Sequence, residues 1–98
     1  MINVRNVDLC IAFGKRLRKL RRAIPLSQEL LANKADVSIS QISRIERGLL
    51  NPTLSTIYAL AEAIEINPEL LVCDLLDQPN IHKISVLKID KRKLDNYK

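Results

Sequence analysis

Apolar residues recur along the chain at intervals of three and four, which is the spacing of helices that bury one face. The first such stripe runs to about Arg22 and contains Cys10, Phe13, Gly14, Leu17 and Leu20. Asp8 can cap this helix or favour its start through its charge. Similar stripes follow within 27–35, 38–47 and 53–64, and the sequence LLVCDLL continues from Asn67-Pro68-Glu69, a typical helix start. The pattern predicts an all-α fold of five helices.

Residues 27–48, SQELLANKADVSISQISRIERG, predict two short helices joined by a tight turn. Ser27 is a suitable N-cap for the first helix. Ser38 and Gln41 have the spacing of a capping box at the start of the second. Asp36 lies in the turn, where a short polar side chain tolerates a left-handed backbone, and Gly48 is a natural helix end.

The second of these helices has two contrasting faces. Ile42 and Ile45 share the face that is expected to point into the core. The other face carries one isoleucine, two hydroxyls and two cations: Ile39, Ser40, Ser43, Arg44 and Arg47. A merely solvated helix would more usually alternate Glu with Lys. Small side chains let a helix enter the DNA major groove, where an arginine can bind a guanine edge with two hydrogen bonds.

The stretch from Gly14 to about Leu76 resembles the lambda-repressor/Cro family of helix-turn-helix proteins, also called XRE-type regulators. The likeness lies in GKRLRKLR, LSQELLA, DVSISQISRIERG and NPTLSTIYALAEAI, and it covers about two thirds of the chain. It implies a five-helix, lambda-repressor-like DNA-binding domain over residues 1–78 and a C-terminal extension over 79–98.

The resemblance also implies roles for individual residues. The positions that match the base-reading face are Ile39, Ser40, Ser43 and Arg44, and those that match phosphate contacts are Gln28, Gln41, Arg47 and Asn51. Arg21 and Glu46 match a structural ion pair between helix 1 and the end of the recognition helix. Two positions depart from the family pattern. Pro25 stands where the family usually has the glycine that ends helix 1, and Leu30 replaces the usual capping-box Glu.

The charge of the chain suits a polyanionic partner. The net charge is +5, but its distribution is uneven. Residues 1–54 hold ten Lys/Arg and four acids (+6), residues 55–76 hold four acids and no base (−4), and residues 77–98 hold six bases and three acids (+3). We therefore expect a basic half that faces double-stranded DNA and an acidic half that faces away.

Other function classes have little support in the sequence. Cys10 and Cys73 lie far apart without a CxxC pair, and His82 is the sole histidine, so we expect neither a metal site nor a catalytic triad. We expect no cofactor and no enzymatic activity. No apolar run is long enough to cross a bilayer and the N-terminus lacks a signal-peptide pattern, so we expect a cytoplasmic protein without membrane contact.

The C-terminal extension leaves two functions open. The sequence IHKISVLKI at 81–89 favours a β-strand that pairs with the same strand of a second copy. The alternative is that these residues form a flexible tail that folds over helix 5. The first function is a sequence-specific transcription regulator, either activator or repressor, that binds a palindromic double-stranded DNA operator as a homodimer. The alternative is an antitoxin-type protein whose residues 81–98 grip another protein while the helix-turn-helix autoregulates. Phage repressor, restriction–modification controller and general regulator fit the sequence equally.

Overall fold

The computed structural model describes residues 5–76, and this part of the chain is entirely helical apart from its turns and loops. The five helices are α1 (Val7–Ala23), α2 (Gln28–Ala35), α3 (Ile39–Glu46), α4 (Leu54–Ile64) and α5 (Glu69–Val72). The all-α, five-helix expectation is confirmed over this range. The strand predicted at 81–89 and the boundary between the domain and its extension lie outside the described residues.

The helices pack around one apolar core that holds α3 in place. α3 lies against α1 and α2, α2 also packs against α4, and α1 packs against α5. The side chains that are almost fully shielded from solvent come from all five helices: Leu17, Leu31, Ile42, Ile45, Leu60 and Leu71. Both isoleucines expected on the inner face of α3 are among them, so the opposite face of this short helix must point outward.

Hydroxyl side chains start the three central helices. Ser27, Ser38 and Thr53 each accept a hydrogen bond from the backbone N–H three residues later, at 3.0–3.1 Å. Each bond satisfies one of the N–H groups that a helix start leaves without a partner. In α1, Asp8 takes the second of its two expected roles, as an acid near the helix start, and does not cap the helix. Asn6 is its N-cap, with its side-chain oxygen 3.0 Å from the Leu9 nitrogen, while Asp8 lies in the first turn.

Left-handed residues end α2, α3 and α4. Asp36, Gly48 and Glu65 have φ angles of 58°, 77° and 64°. In each case the next N–H donates to the carbonyl five positions earlier, at 2.9–3.0 Å, which is the hydrogen bond of a Schellman motif. The turn between α2 and α3 is therefore closed by backbone hydrogen bonds, and the angle at which α3 leaves α2 is set locally.

α1 ends without such a residue because Pro25 cannot adopt a positive φ. Ile24 has a φ of −109°, and the Leu26 N–H donates to the Arg21 carbonyl at 3.1 Å. α5 begins as expected, since the Asn67 side chain accepts from the Glu69 N–H at 2.9 Å. It is only four residues long, however, and the sequence LLVCDLL lies mostly in the turn that follows.

Helix α1 approaches the C-terminal end of α3 very closely at Gly14. A Cβ atom added to Gly14 would lie 2.3 Å from the Ile45 carbonyl oxygen and 2.7 Å from that of Glu46. Both neighbours are backbone atoms, so no side-chain movement can relieve the clash. Because Gly14 has no side chain, these two helices can lie this close together.

A buried ion pair joins the same two helices. Arg21 Nε lies 2.6 Å from Glu46 Oε2 and Arg21 Nη2 lies 3.0 Å from Oε1, while Nη1 donates to the Leu26 carbonyl at 2.8 Å. Both residues are more than 90% shielded from solvent. The hydrogen bond to Glu46 raises the pKa of Arg21 above its usual high value, despite the opposing effect of burial. Because the pKa of Arg21 is higher in the folded state than in the unfolded state, the stability that comes from this pKa shift is lost only when the pH rises above the ordinary pKa of arginine.

We predict that Gly14→Ala lowers the free energy of unfolding by about 1–3 kcal/mol, because its new methyl group would overlap two carbonyl oxygens. Helix propensity alone predicts the opposite sign, a gain of roughly 1 kcal/mol. Denaturant unfolding followed by circular dichroism measures the difference, with Ala12→Gly in the same helix as the calibration for propensity. Unchanged or increased stability of Gly14→Ala would contradict the close approach.

We predict that Glu46→Ala lowers the free energy of unfolding by about 3–5 kcal/mol, because it leaves the Arg21 guanidinium charged, buried and unpaired. Glu62→Ala removes an exposed carboxylate from α4 and is the matched control, with an expected change within about 0.5 kcal/mol. Thermal melting measures both. Altered DNA sequence preference with unchanged melting would show that Glu46 is a reading residue instead.

Candidate nucleic-acid interface

The outward face of α3 is the candidate reading surface. Ser40, Arg44 and Arg47 are exposed, Ser43 is half-buried, and the Ile39 side chain is 51% exposed. These residues follow one another at helical spacings on the side opposite Ile42 and Ile45. An exposed isoleucine is unfavourable in water but can pack against a thymine methyl group. The structure thus brings the four predicted base-reading residues onto one accessible surface.

Arg44 in α3 and Arg47, the residue that caps the end of α3, are placed differently. Arg47 Nε donates to the Ser43 carbonyl at 3.3 Å, which folds its side chain back along the last turn of the helix. The Arg44 side chain makes no hydrogen bond or ion pair with any residue between 5 and 76, so its guanidinium is available to an external acceptor. Of the two, Arg44 is therefore better placed to reach beyond the protein surface.

The other predicted phosphate-contacting residues lie on different elements of the fold. Gln41 is half-buried on the first turn of α3. Asn51 lies in the loop after α3, where the Cys10 thiol is 4.0 Å from its side-chain oxygen. Gln28 is the first residue of α2, and its Nε2 donates to Glu46 Oε1 at 3.0 Å. Gln28 is thereby held beside the last turn of α3.

Three placements have no counterpart in the sequence-based assignments. Arg5 Nη2 donates to the Gly48 carbonyl at 3.2 Å, so the chain before α1 is anchored to the end of α3. Arg16 Nη1 donates to the Leu70 carbonyl at 2.8 Å and fixes α5 instead of facing a polyanion. The third is the Gln28–Glu46 hydrogen bond. Each requires tertiary proximity between distant residues, and no local spacing signals it.

The remaining cations of α1 form a separate surface. Lys15, Arg18, Lys19 and Arg22 are exposed and border one shallow depression. The exposed acids Glu62, Glu65 and Glu69 lie on other elements, at α4 and the start of α5. The charge asymmetry of the sequence is thus displayed at the surface, where it acts on an approaching polyanion.

Between residues 5 and 76 no group of three or more His, Cys, Asp or Glu side chains is arranged to hold a metal ion. Within the same range no helix has the length and apolar character needed to span a membrane. Cys10 is buried and Cys73 half-buried, and both are free thiols.

Comparison with known proteins gives close relatives for this architecture. A helix-turn-helix family model, HTH_3, matches residues 17–71, more than half of the chain. The immunity repressor protein of Bacillus phage phi105 is 41% identical over 59 residues, which are 60% of this chain and 41% of the repressor. This chain therefore spans less than half the length of that repressor. Control protein C.BamHI of Bacillus amyloliquefaciens is 37% identical over 71 residues, which are 71% of this chain and 83% of the control protein.

A solved structure extends the likeness to three dimensions. The restriction-modification controller protein C.AhdI from Aeromonas hydrophila superposes with a TM-score of 0.63 and 44% sequence identity, covering 63% of this chain and 94% of the controller. The relatives are named as a repressor and as control proteins, which supports the expectation that this chain is not an enzyme. Three findings agree: the family model matches, C.BamHI is covered over most of its length, and the fold has the helices of C.AhdI. The chain therefore belongs to the XRE-type helix-turn-helix family of DNA-binding proteins.

Proposed function

We propose that this protein is a sequence-specific transcription regulator that binds double-stranded DNA as a homodimer, with α3 in the major groove of each operator half-site. The observation that carries the proposal is the two-sided character of α3. Its inner isoleucines are 0% exposed, while its outer face presents hydroxyls, an isoleucine and an arginine without a protein partner in residues 5–76. That combination suits a base edge better than it suits water.

The proposed contacts divide into base reading and phosphate binding. Arg44 binds the O6 and N7 atoms of a guanine, Ser40 and Ser43 donate or accept adaptable hydrogen bonds, and Ile39 packs on a thymine methyl. The phosphate contacts set the register of α3 on the duplex without reading sequence, and they are assigned to Gln28, Gln41, Arg47 and Asn51. The exposed cations of α1 add a long-range attraction that is independent of sequence.

The size of α3 supports a dimer. Eight helical residues extend over about 12 Å, which corresponds to roughly three or four base pairs along a DNA groove. So short a site occurs too often in a genome to be specific on its own. Two copies related by a two-fold axis would place their recognition helices about 34 Å apart, one helical turn of DNA, and would match a palindromic operator.

An apolar surface of α4 and α5 is the proposed contact between the two copies. Leu54, Tyr58 and Val72 line the same recess, and their side chains are 71%, 58% and 44% exposed. An adjoining recess shares Val72 and continues to Leu9. A contiguous apolar area of this kind is a typical protein–protein contact. Helices α4 and α5, which carry Leu54, Tyr58 and Val72, contain acidic residues but no Lys or Arg.

We predict that Arg44→Ala weakens binding to the operator by about 1–3 kcal/mol and relaxes the preference at one base pair in each half-site. Selection of binding sites from random duplexes, followed by sequencing, measures both effects. Arg22→Ala on α1 removes one exposed cation elsewhere and is the matched control, expected to leave the consensus unchanged. An identical consensus for Arg44→Ala and the wild type would refute the role of Arg44.

We predict that Tyr58→Asp shifts the protein from dimer to monomer, because it places a charge in the proposed apolar contact. Sedimentation equilibrium of the full chain measures the dissociation constant. Leu30→Asp introduces the same charge at another exposed apolar residue, 50% exposed on α2, and should leave the dimer intact. A wild-type monomer, or a dimer unaffected by Tyr58→Asp, would count against this surface.

A further inference from the structure

The Glu46 carboxylate has a third donor besides the two nitrogens of Arg21. Gln28 Nε2 lies 3.0 Å from Oε1, the oxygen that also accepts from Arg21 Nη2 at 3.0 Å. The Glu46 side chain is 3% exposed, whereas Gln28 is only half-buried at the start of α2. The Gln28 amide therefore lies at the boundary between the buried ion pair and the surface.

The chemistry of the two groups fixes the orientation of this amide. An ionised carboxylate only accepts hydrogen bonds, whereas a glutamine amide has an NH₂ that donates and a carbonyl oxygen that accepts. Glu46 therefore selects the orientation in which the Gln28 nitrogen faces the last turn of α3. One N–H of that nitrogen binds Glu46, and the same nitrogen carries a second N–H. In the opposite orientation the Gln28 carbonyl oxygen would face the carboxylate, which is unfavourable.

The same orientation is the one that suits a DNA phosphate, because phosphate oxygens also only accept hydrogen bonds. The negative charge of Glu46 would normally repel a phosphate nearby. Arg21 compensates that charge with two hydrogen bonds, one of them 2.6 Å long. The buried pair can therefore orient Gln28 without an uncompensated charge close to the proposed phosphate position.

We propose that Glu46 is a positioning residue for DNA binding: it holds the Gln28 amide with its second N–H available to a backbone phosphate. This inference rests on the proposed function and, within it, on the phosphate contact of Gln28. It gives the buried ion pair a role in affinity in addition to its role in stability. If Gln28 only satisfied a lone pair of Glu46, its removal would change stability and leave DNA affinity unchanged.

A double-mutant cycle on the full chain tests the inference. The variants are Gln28→Ala, Glu46→Asp and the combination of the two. Asp keeps the charge that Arg21 needs but is one methylene shorter, which withdraws the carboxylate from Gln28. The readouts are the dissociation constants for a selected operator and for a random duplex, measured where circular dichroism shows each variant folded, and the free energy of unfolding.

Gln28→Ala should weaken binding to both duplexes by roughly 10- to 100-fold for each Gln28 contact that is lost, as expected for one hydrogen bond to a charged acceptor. The salt dependence of binding should stay the same, because a neutral glutamine releases no counterion.

Glu46→Asp should weaken binding by a similar factor in the presence of Gln28 and should cause no further loss of affinity in Gln28→Ala. Its effect on unfolding should persist in both backgrounds. Gln28→Lys should restore binding in Glu46→Asp, since an ammonium group has no acceptor end to orient.

The experiment distinguishes failure of this inference from failure of the proposed function. Equal losses of affinity from Glu46→Asp with and without Gln28 would show that Glu46 acts through the fold alone and would overturn the inference. Unchanged affinity of Gln28→Ala would remove the phosphate contact and the inference with it, while loss of specificity in Arg44→Ala would still uphold the proposed function. If the wild type binds no duplex, both proposals fail.

A measurement on the wild type covers the case in which Glu46→Asp does not fold. The Gln28 side-chain NH₂ group should give two resolved proton resonances in NMR spectra of the free protein. On addition of operator DNA, the amide proton that is hydrogen-bonded to Glu46 should keep its chemical shift, and the chemical shift of the other amide proton should change. Two resonances that both stay unchanged when DNA binds would overturn the inference.

Discussion

The ion pair between Arg21 and Glu46 is the interaction on which the rest of the structure depends. It connects the end of α1 to the end of α3, and the same guanidinium also bonds the Leu26 carbonyl in the connection to α2. A pair this deeply buried is costly to form, and it repays the desolvation only if most of its hydrogen-bonding capacity is used. Here three donors converge on one carboxylate, so the position of α3 relative to α1 and α2 is specified by chemistry as well as by packing.

Close packing supplies the second constraint on α3. The two inner isoleucines anchor its buried face, and Gly14 lets the backbone of α1 lie against its last carbonyl groups. A short helix is not stable by itself, and its geometry must come from its neighbours. The side chains of the outer face are consequently not needed to hold α3 in place, and among them Arg47 contacts only its own helix. This separation allows the outward side chains to vary without loss of the fold.

The sequence predicted most of the fold because the relevant signals are local. The apolar stripes, the hydroxyl caps at Ser27 and Ser38 and the left-handed Asp36 all depend on residues within a turn or two of each other. The sequence analysis left two roles open for Asp8 and did not identify Asn6 as the cap of α1, and it overestimated the length of α5. The hydrogen bond between Gln28 and Glu46 joins residues 18 positions apart, and only the assembled core brings them together. The assignment of individual base and phosphate contacts stays a prediction.

The central claim is that α3 reads the major groove, and methylation interference tests it most directly. Dimethyl sulfate modifies guanine at N7 in the major groove and adenine at N3 in the minor groove, and the bound and free fractions of a treated operator can then be compared base by base. The account predicts that N7 methylation blocks binding at guanines in two clusters, about one helical turn apart on one face of the duplex. Interference confined to adenine N3, or its absence at guanine N7, would contradict it.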